Sequence, residues 1–274
     1  MIKSLATKIL HAVFRNDFTT SFTSNRAAQL GIRQLVKELD YTRGIGAGVG
    51  VETSGEKILI ELLEDQNGIK TVFDVGANKG DFTDLIDRNV SESNIHLFEP
   101  QQKLCQQIKT KYSNQNTKEV NCIALSNEAT QTTLYYDQEG SGLASMSKRK
   151  LDHHDIEFDH KEEIQTQTIE QYCDKRNISE ISLLKLDVEG HELDVLMGAE
   201  NMISQQDIQF VSFEFGGANI DTRTFFQDYF YFFNEYGYYV YRILPSGELF
   251  EIDQYDEVDE RFQVTNYLAT VNKI

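Results

Sequence analysis

Short apolar runs and amphipathic segments alternate along the chain from about residue 57 onward. Compact apolar runs are typical of buried strands, whereas apolar positions three or four residues apart are typical of helices. The pattern predicts strands at residues 71–75, 94–98, 119–124, 132–137, 181–187, 208–215, 238–244 and 264–271. It predicts helices at residues 57–66, 80–89, 101–113, 168–176, 191–203 and 222–236, and residues 164–169 fit either state.

Strands that alternate with helices favour a doubly wound α/β fold, in which helices cover both faces of a mainly parallel sheet. Ligands of such sheets bind beyond the carboxyl ends of the strands. The segments that the predicted strands place at this edge are residues 74–80, Glu99, residues 124–127, residues 187–191 and residues 214–219.

The first part of the chain differs from the rest. Residues 1–56 are predicted to form a helical appendage that ends in a flexible, glycine-rich loop at residues 41–56, and residues 57–274 the main domain. One apolar face of the first helix consists of Ile2, Leu5, Ile9 and Val13. This face is expected to pack on the main domain or on a second subunit, so a homodimer is one hypothesis; weak contact with a membrane surface is the alternative.

The charge of the chain is strongly acidic, with a net value of −18. Residues 1–44 hold seven basic and three acidic residues, so the remainder carries −22. An acidic body argues against a nucleic-acid partner, because contacts to phosphates need Lys and Arg. The stretch at residues 251–260 contains six acidic residues and is predicted to be a solvated loop.

The three cysteines, Cys105, Cys122 and Cys173, are far apart and form no C-x-x-C pair. An odd number without a regular spacing predicts reduced thiols and a cytoplasmic protein. No apolar run approaches the length of a membrane-spanning helix, so no transmembrane segment is expected.

The stretch TVFDVGANKGDF, residues 71–82, reads as a buried strand followed by a turn and a helix. Its glycines, Gly76 and Gly80, let a ligand approach the backbone, and Asn78 lies between them. The G-x-G-x-x-G pattern of NAD sites is missing, and Asp74 would repel a pyrophosphate. The turn therefore favours S-adenosyl-L-methionine (SAM) over NAD.

Two further strand ends complete a predicted cofactor site. Glu99 follows the glycine turn by about twenty residues, the position from which an acidic side chain accepts hydrogen bonds from ribose hydroxyls. Its alternative role is that of an acid at the start of a helix. The backbone of Ala124 and Leu125 is expected to frame the adenine.

The segment LLKLDVEGHELDVLMGAE, residues 183–200, carries the candidate catalytic residues Asp187, Glu189 and His191. Acids crowded at a strand end are costly to bury, and such settings tune general bases. Asp187 is the first choice as base, although it also suits a bracing role. His191 fits a base, a substrate contact or a surface residue equally well.

Glu214 ends the strand at residues 208–215 and is expected to point toward the same cleft. Its alternative is a pair with a buried Lys or Arg. Carboxylates alone are weak evidence for a hard cation, so no metal site is predicted.

The motifs FDVGANKGDF, LFEP and LLKLDVEGHELDVLMGAE, in this order, closely resemble the FkbM-type methyltransferase family over about residues 55–245. The resemblance implies the class I, Rossmann-like methyltransferase fold, with a seven-stranded sheet whose last strand is antiparallel. It implies SAM as cofactor, bound by Asp74, Gly76, Asn78, Gly80 and Glu99. Asp187 and Glu189 fall on the family's DVEG motif, whereas many members have an aromatic residue at the position of His191.

The resemblance implies methylation of hydroxyls, which is common in that family, and with these features it predicts a SAM-dependent O-methyltransferase whose acceptor is a hydroxyl of a sugar, glycan or similar polar small molecule. Asp187 would then contact both cofactor and acceptor. The alternative is a non-catalytic SAM-binding module or assembly partner, which would not need the acids at residues 187–192.

Overall fold

The computed structural model describes residues 8, 11–15, 19, 23–50 and 53–274. The chain divides into two compact units, Met1–Arg43 and Gly44–Ile274. In the first unit, helix α1 (Arg26–Thr42) begins after Asn25, whose side chain accepts a hydrogen bond from the backbone N–H of Ala28 at 2.9 Å. The apolar face expected nearer the start of the chain falls on Ile2, Leu5 and Ile9, which lie outside the described residues, and on Val13.

The second unit contains two sheets. In chain order, their strands are β1 (Lys70–Val75), β2 (Ser93–Phe98), β3 (Lys118–Asn121), β4 (Ala124–Leu125), β5 (Gln131–Tyr136), β6 (His160–Gln167), β7 (Ile181–Leu186), β8 (Ile208–Phe215), β9 (Tyr239–Ile243), β10 (Leu249–Ile252) and β11 (Thr265–Thr270). The main sheet has eight strands in the order β3-β2-β1-β7-β8-β11-β9-β10.

The direction of the strands confirms the predicted class I methyltransferase architecture. Strands β3, β2, β1, β7 and β8 are parallel, and the last strand, β11, is antiparallel to both of its neighbours. The predicted number of seven strands is wrong, because β10 adds an eighth. It pairs antiparallel with β9, with Leu249 opposite Ile243, so a hairpin extends the edge of the sheet. The strand has only four residues, LFEI, and the last two fall in the acidic stretch 251–260 that was predicted to be a solvated loop.

The helices of the second unit alternate with the strands as predicted. They are α2 (Lys57–Glu64), α3 (Asp81–Asn89), α4 (Gln102–Lys111), α5 (Ile169–Arg176), α6 (Glu192–Met197), α7 (Glu200–Ser204), α8 (Ala218–Thr222) and α9 (Phe226–Glu235). The helix expected over residues 191–203 is divided in two near Gly198, where a Cβ atom would lie 2.1 Å from the backbone oxygen of Ser126. No helix in the described parts of the chain combines the length and apolar composition that spanning a membrane requires.

The ambiguous segment at residues 164–169 lies mostly in a strand. β6 pairs antiparallel with β5 and parallel with β4, forming a three-stranded sheet beside the main one. The chain between β5 and β6 therefore returns to the carboxyl edge of the main sheet, and its residues 141–156 contribute to the cavities described below.

Apolar side chains cover both faces of the main sheet. Alternate residues of a strand point to opposite faces, so Val72 packs in one buried cluster and Phe73 in the other. Both residues are fully buried. A sheet buried on both sides fixes the strand ends in place, and the site is built on those ends.

Two local expectations are corrected by the structure. Cys105 and Cys122 form a disulfide, with Cα atoms 5.5 Å apart, so the prediction of reduced thiols holds only for the buried Cys173. The cytoplasmic location inferred from those thiols stays a prediction. The start of the glycine-rich segment is also packed rather than free: Ile45 is buried, and the N–H of Gly48 donates to the oxygen of Val264 at 3.0 Å.

Candidate active site

The turn after β1 needs glycine at its first position. Gly76 has a φ of +81°, and a Cβ atom there would lie 1.8 Å from the backbone oxygen of Asp187. Its N–H donates to the oxygen of Phe98 at 3.0 Å. The turn after β1 is thereby held against the ends of β2 and β7, and any side chain would push these ends apart.

Gly80 ends the same turn and also requires glycine. It has a φ of +78° and immediately precedes α3. A Cβ atom on Gly80 would lie 2.7 Å from the hydroxyl of Tyr112, which donates to the Gly80 oxygen at 2.9 Å. Gly80 does not line the cavities described below, so its part in cofactor binding would be through the shape of the turn.

Glu99 is held by the backbone on both sides. One carboxylate oxygen accepts from the N–H of Asn78 at 2.9 Å and the other from the N–H of Gln101 at 2.8 Å. The residue is 4% exposed. Burial raises the pKa of Glu99 to about 7, although both backbone hydrogen bonds oppose this shift.

Asn78 has a φ of +48°, and its side-chain oxygen is buried with no hydrogen-bond partner among the described residues. A buried acceptor of this kind is costly unless a ligand or water donates to it. The side chain lines the same cavity as Glu99.

These residues line a narrow cavity of 70 Å³ at the carboxyl end of β1 and β2. Its polar side is formed by Asn78, Glu99 and Gln101, and its apolar side by Phe98, Ala124, Leu125, Leu134 and Met146. A buried carboxylate suits the two hydroxyls of a ribose, and flat apolar walls suit a purine. The unpartnered Asn78 oxygen and the buried Glu99 carboxylate are acceptors that the donors of a nucleoside such as that of SAM would satisfy.

Asp74 lies on β1, near the start of the turn, and does not line this cavity. It is 1% exposed and accepts a hydrogen bond from the Thr83 hydroxyl at 2.7 Å. Burial raises the pKa of Asp74, while the nearby ammonium of Lys185 opposes that rise. The predicted direct contact with the cofactor stays untested, and the observed contacts join β1 to α3 and β7.

Asp187 lies at the end of β7, where its carboxylate accepts from the Lys185 ammonium at 3.0 Å. Its side chain keeps 41% exposure, whereas that of Lys185 keeps 8%. Burial opposes the charge of Lys185, but the nearby carboxylates Asp187, Glu56 and Asp74 outweigh it and raise the pKa of the lysine above its usual value. Of this pair, Lys185 is buried and Asp187 lines the cavity.

Lys185 and Glu56 were not singled out in the sequence. The signal for Lys185 was its charge within the otherwise apolar run LLKL, since an unpaired Lys is rarely buried in a strand. Glu56 gave no comparable signal, because it precedes α2 and comes near Lys185 only in the folded chain.

A wide cavity of 670 Å³ opens on the other side of Asp187. Its charged lining comprises Arg149, Lys150, Asp187, Glu189, Glu214 and Asp221, with His153 and His154. Its apolar lining includes Val49, Leu151, Ile156, Ile220 and Phe262. The narrow and wide cavities share Gly142, Asp187 and Glu189.

Glu189 forms an ion pair with Arg149, which lies in the chain between β5 and β6. The Arg149 side chain is 8% exposed and also lies 3.6 Å from the carboxylate of Asp221. Burial raises the pKa of Glu189 to about 8, with the arginine opposing the shift. Glu189 itself has a φ of +53°, and its backbone oxygen accepts from the Ser145 hydroxyl at 2.9 Å.

Glu214 lines the wide cavity from the end of β8. Burial raises its pKa well above the usual value, and the neighbouring carboxylates Asp187 and Glu189 add to the rise. The neighbouring Glu192 is instead a brace: its carboxylate accepts from the N–H groups of Val188 and Gly190 at 3.0 and 3.2 Å.

His191 is turned away from the two cavities. Its Nδ1 lies 2.7 Å from a carboxylate oxygen of Asp194, and its Nε2 lies 3.1 Å from the Ser147 hydroxyl. Both ring nitrogens are therefore engaged, and the residue is absent from the lining of both cavities. Within the described residues, no group of three or more His, Cys, Asp and Glu side chains is arranged to hold a metal ion.

The chain is similar to one protein family and to several solved structures. The family model of the methyltransferase FkbM domain matches residues 74–240. Similar solved structures include a SAM-dependent methyltransferase from Aquifex aeolicus (11% identity, 86% of this chain and 96% of that one, TM-score 0.41). They also include a precorrin-6y C5,15-methyltransferase from Geobacter metallireducens (6% identity, 78% and 86%, TM-score 0.40). A third is an rRNA methylase from Streptococcus thermophilus (11% identity, 78% and 92%, TM-score 0.39). The comparison with curated proteins gives no match.

Proposed function

Since this chain belongs to the FkbM methyltransferase family, with SAM as its methyl donor, we propose that it methylates a hydroxyl group of a sugar, a glycan or a similarly polar small molecule. SAM supplies a methyl group on a positively charged sulfur. The observation that carries the proposal is the meeting of the narrow and wide cavities at Asp187 and Glu189. A methyl donor in the first cavity and an acceptor in the second would face each other there.

The cofactor side of the proposal assigns the ribose to Glu99 and the adenine to the pocket beside Ala124 and Leu125. Gly76, Asn78 and Gly80 shape the turn that borders this pocket, and Asp74 supports it from beneath through Thr83. The carboxylate of Asp187 lies at the junction, where its oxygens favour a cationic sulfur.

The acceptor side rests on the lining of the wide cavity. Carboxylates, an arginine, two histidines and Phe262 surround a volume large enough for a small carbohydrate. Hydrogen-bonding groups combined with a few apolar and aromatic surfaces suit a ligand with many hydroxyls. The acidic charge of the second unit supports a small acceptor over nucleic acid.

Asp187 is proposed as the base, because it lines both cavities. Its carboxylate accepts from the Lys185 ammonium at 3.0 Å and is 41% exposed, so it can accept a further hydrogen bond from the acceptor hydroxyl. Glu189 and Glu214 are the next candidates. Glu189 is engaged by Arg149, and His191 ranks below them because Asp194 and Ser147 hold both of its nitrogens. Alignment of the two reactants supplies most of the rate in such a transfer.

A direct test is incubation of the purified protein with SAM carrying an isotopically labelled methyl group and with panels of sugars, glycans and polyols. Mass spectrometry should detect a singly methylated product, and NMR should place the new methyl on oxygen. The alternative, a non-catalytic SAM-binding module, predicts tight SAM binding with no transfer to any hydroxyl-bearing acceptor. Transfer to nitrogen alone would contradict the proposed O-methylation.

A further inference from the structure

A third cavity, the inner cavity, adjoins the wide cavity and has a volume of 80 Å³. The two cavities share Gly48, Gly50, Asp187 and Glu214. Four further polar side chains line the inner cavity, those of Glu56, Lys185, Ser212 and Asn266. Its volume exceeds the space that one water molecule needs. A polar substituent of an acceptor held in the wide cavity therefore has room to enter it.

The sheet places the two shared carboxyl groups side by side. Lys185 on β7 lies opposite Ser212 on β8, and these strands are parallel. Asp187 and Glu214 come two residues further along the two strands, so they are neighbours that point to the same face of the sheet. Adjacent strands are about 5 Å apart. At this spacing, the two carboxyl groups can each bind one of two hydroxyls on adjacent carbon atoms.

Asn266 contributes a donor that the protein leaves unused. It lies on β11 opposite Glu214 on β8, and it is 6% exposed. Its side-chain nitrogen is buried with no hydrogen-bond partner among the described residues. The amide therefore does not bond to Glu214, although the two residues are cross-strand neighbours and both line the inner cavity. A buried donor of this kind is costly unless a ligand or water accepts from it.

The lining of the inner cavity offers donors and acceptors together. Asn266 donates, and the Lys185 ammonium has three protons, of which the hydrogen bond to Asp187 uses one. The carboxyl group of Glu214 accepts, and burial raises its pKa well above the usual value, so that it also donates when neutral. A hydroxyl both donates and accepts, so it matches this lining. An ammonium group has no lone pair for Asn266, and a carboxylate or phosphate would be repelled by the acids.

We propose that the inner cavity binds a second hydroxyl of the acceptor, on the carbon next to the methylated one, so that the acceptor is a vicinal diol. The inference rests on the proposed function. The hydroxyl to be methylated lies at Asp187, while its neighbour donates to Glu214 and accepts from Asn266. Together these contacts fix the orientation of the acceptor, on which the rate of transfer depends. Asn266 and Glu214 thus determine which hydroxyl meets the methyl group.

The test compares acceptors in the wild type and in Asn266→Leu, which keeps the side-chain volume and removes the donor. Thr270→Val is the matched control, because Thr270 is a buried polar residue of the same strand that lines none of the three cavities. The acceptors are a sugar that the wild type methylates and its analogues that lack one of the hydroxyls flanking the methylated one. The measured quantity is the ratio of kcat/KM for the sugar and for each analogue.

In the wild type, loss of one flanking hydroxyl should lower kcat/KM at least about tenfold, because Asn266 and Glu214 are then left without their partner. In Asn266→Leu this ratio should shrink at least about threefold, while Thr270→Val keeps the wild-type ratio. SAM affinity should be unchanged in both variants. A wild type that methylates all analogues as well as the sugar would overturn the inference, and this comparison needs no variant to fold. An equal ratio in the wild type and Asn266→Leu would also overturn it.

Crystals with S-adenosylhomocysteine, soaked with trans-1,2-cyclohexanediol, test the inner cavity without turnover. One hydroxyl of the diol should lie within hydrogen-bond distance of the Asn266 side-chain nitrogen and the other beside Asp187. The first contact should be missing in Asn266→Leu. An inner cavity that holds only water in the soaked wild type would overturn the inference. If the diol is bound as expected but no acceptor is methylated on oxygen, the proposed function is refuted separately.

Discussion

A Cβ atom on Gly76 would lie 1.8 Å from the backbone oxygen of Asp187, so the turn after β1 and the turn after β7 are in direct contact. The first turn borders the pocket assigned to the cofactor, and the second carries the proposed base. One backbone contact therefore fixes the distance between cofactor and base, which is the quantity on which methyl transfer depends most strongly.

Gly76→Ala should damage both folding and cofactor binding. The substitution combines a positive φ with a backbone clash, so the free energy of unfolding should fall by more than about 2 kcal/mol. SAM affinity should fall at least about tenfold. Gly68→Ala is the matched control, because Gly68 has a φ of +82° with open space around it. It should cost about 1 kcal/mol and leave SAM affinity intact. Equal losses in both variants would argue against the contact with Asp187.

The affinity for SAM should depend on the ionisation of Glu99. In the folded protein the pKa of Glu99 is raised from 4.5 to about 7, so the protonated side chain favours the folded state. The stability that this contributes is complete below pH 4.5 and is lost as the pH rises to 7. The ionised form is the better acceptor for two ribose hydroxyls. SAM affinity should therefore rise with pH, by up to about tenfold per pH unit below 7, and level off above it.

Calorimetric titrations across this pH range measure the effect. Glu99→Gln should bind SAM at least about tenfold more weakly and lose the pH dependence. A wild-type affinity that is constant with pH, or a Gln variant with the same pH dependence, would exclude Glu99 as the ribose ligand.

Asp187→Asn should separate catalysis from cofactor binding. The amide keeps the shape of the side chain but cannot take a proton, so kcat should fall on the order of 10²- to 10⁴-fold. SAM affinity should change by less than about tenfold. The exposed Asp174 on α5 provides a control, Asp174→Asn, which should retain full turnover. Near-normal kcat in Asp187→Asn would transfer the role of base to Glu189 or Glu214.

The disulfide between Cys105 and Cys122 should make stability depend on reductant. It closes a loop of 17 residues between α4 and the segment before Ala124, and loops of this size are worth about 3 kcal/mol. Denaturation in urea should show a lower unfolding free energy after reduction and in Cys105→Ala. Cys173→Ala should remain sensitive to reductant, because Cys173 is unpaired. Equal stability with and without reductant would contradict the pairing.

The sequence predicted those features that depend on neighbours in the chain. The glycine spacing, the strand ends and the acid at Glu99 indicate a SAM site, since all lie within short segments whose local conformation the sequence determines. The antiparallel last strand came from the family resemblance. The eighth strand was missed because β10 has only four residues, two of which belong to the acidic stretch 251–260, and its pairing with β9 depends on a hairpin.

The interior of the site could not be predicted in this way. Lys185 and Asn266 belong to distant segments and meet only because β7, β8 and β11 are neighbours in the sheet, and Glu56 reaches them from the position before α2. The engagement of Glu189 by Arg149 likewise depends on how the chain between β5 and β6 folds back. The lysine in the apolar run LLKL indicated that Lys185 needs a charged partner. The sequence did not indicate which carboxylates are its partners.

The most direct measurement is a crystal structure of the protein with S-adenosylhomocysteine, the product left after methyl transfer. The account predicts that the ribose hydroxyls donate to Glu99, that the adenine lies beside Leu125, and that the sulfur lies at the junction next to Asp187 and open to the wide cavity. A nucleoside bound elsewhere, or a sulfur shielded from the wide cavity, would contradict it.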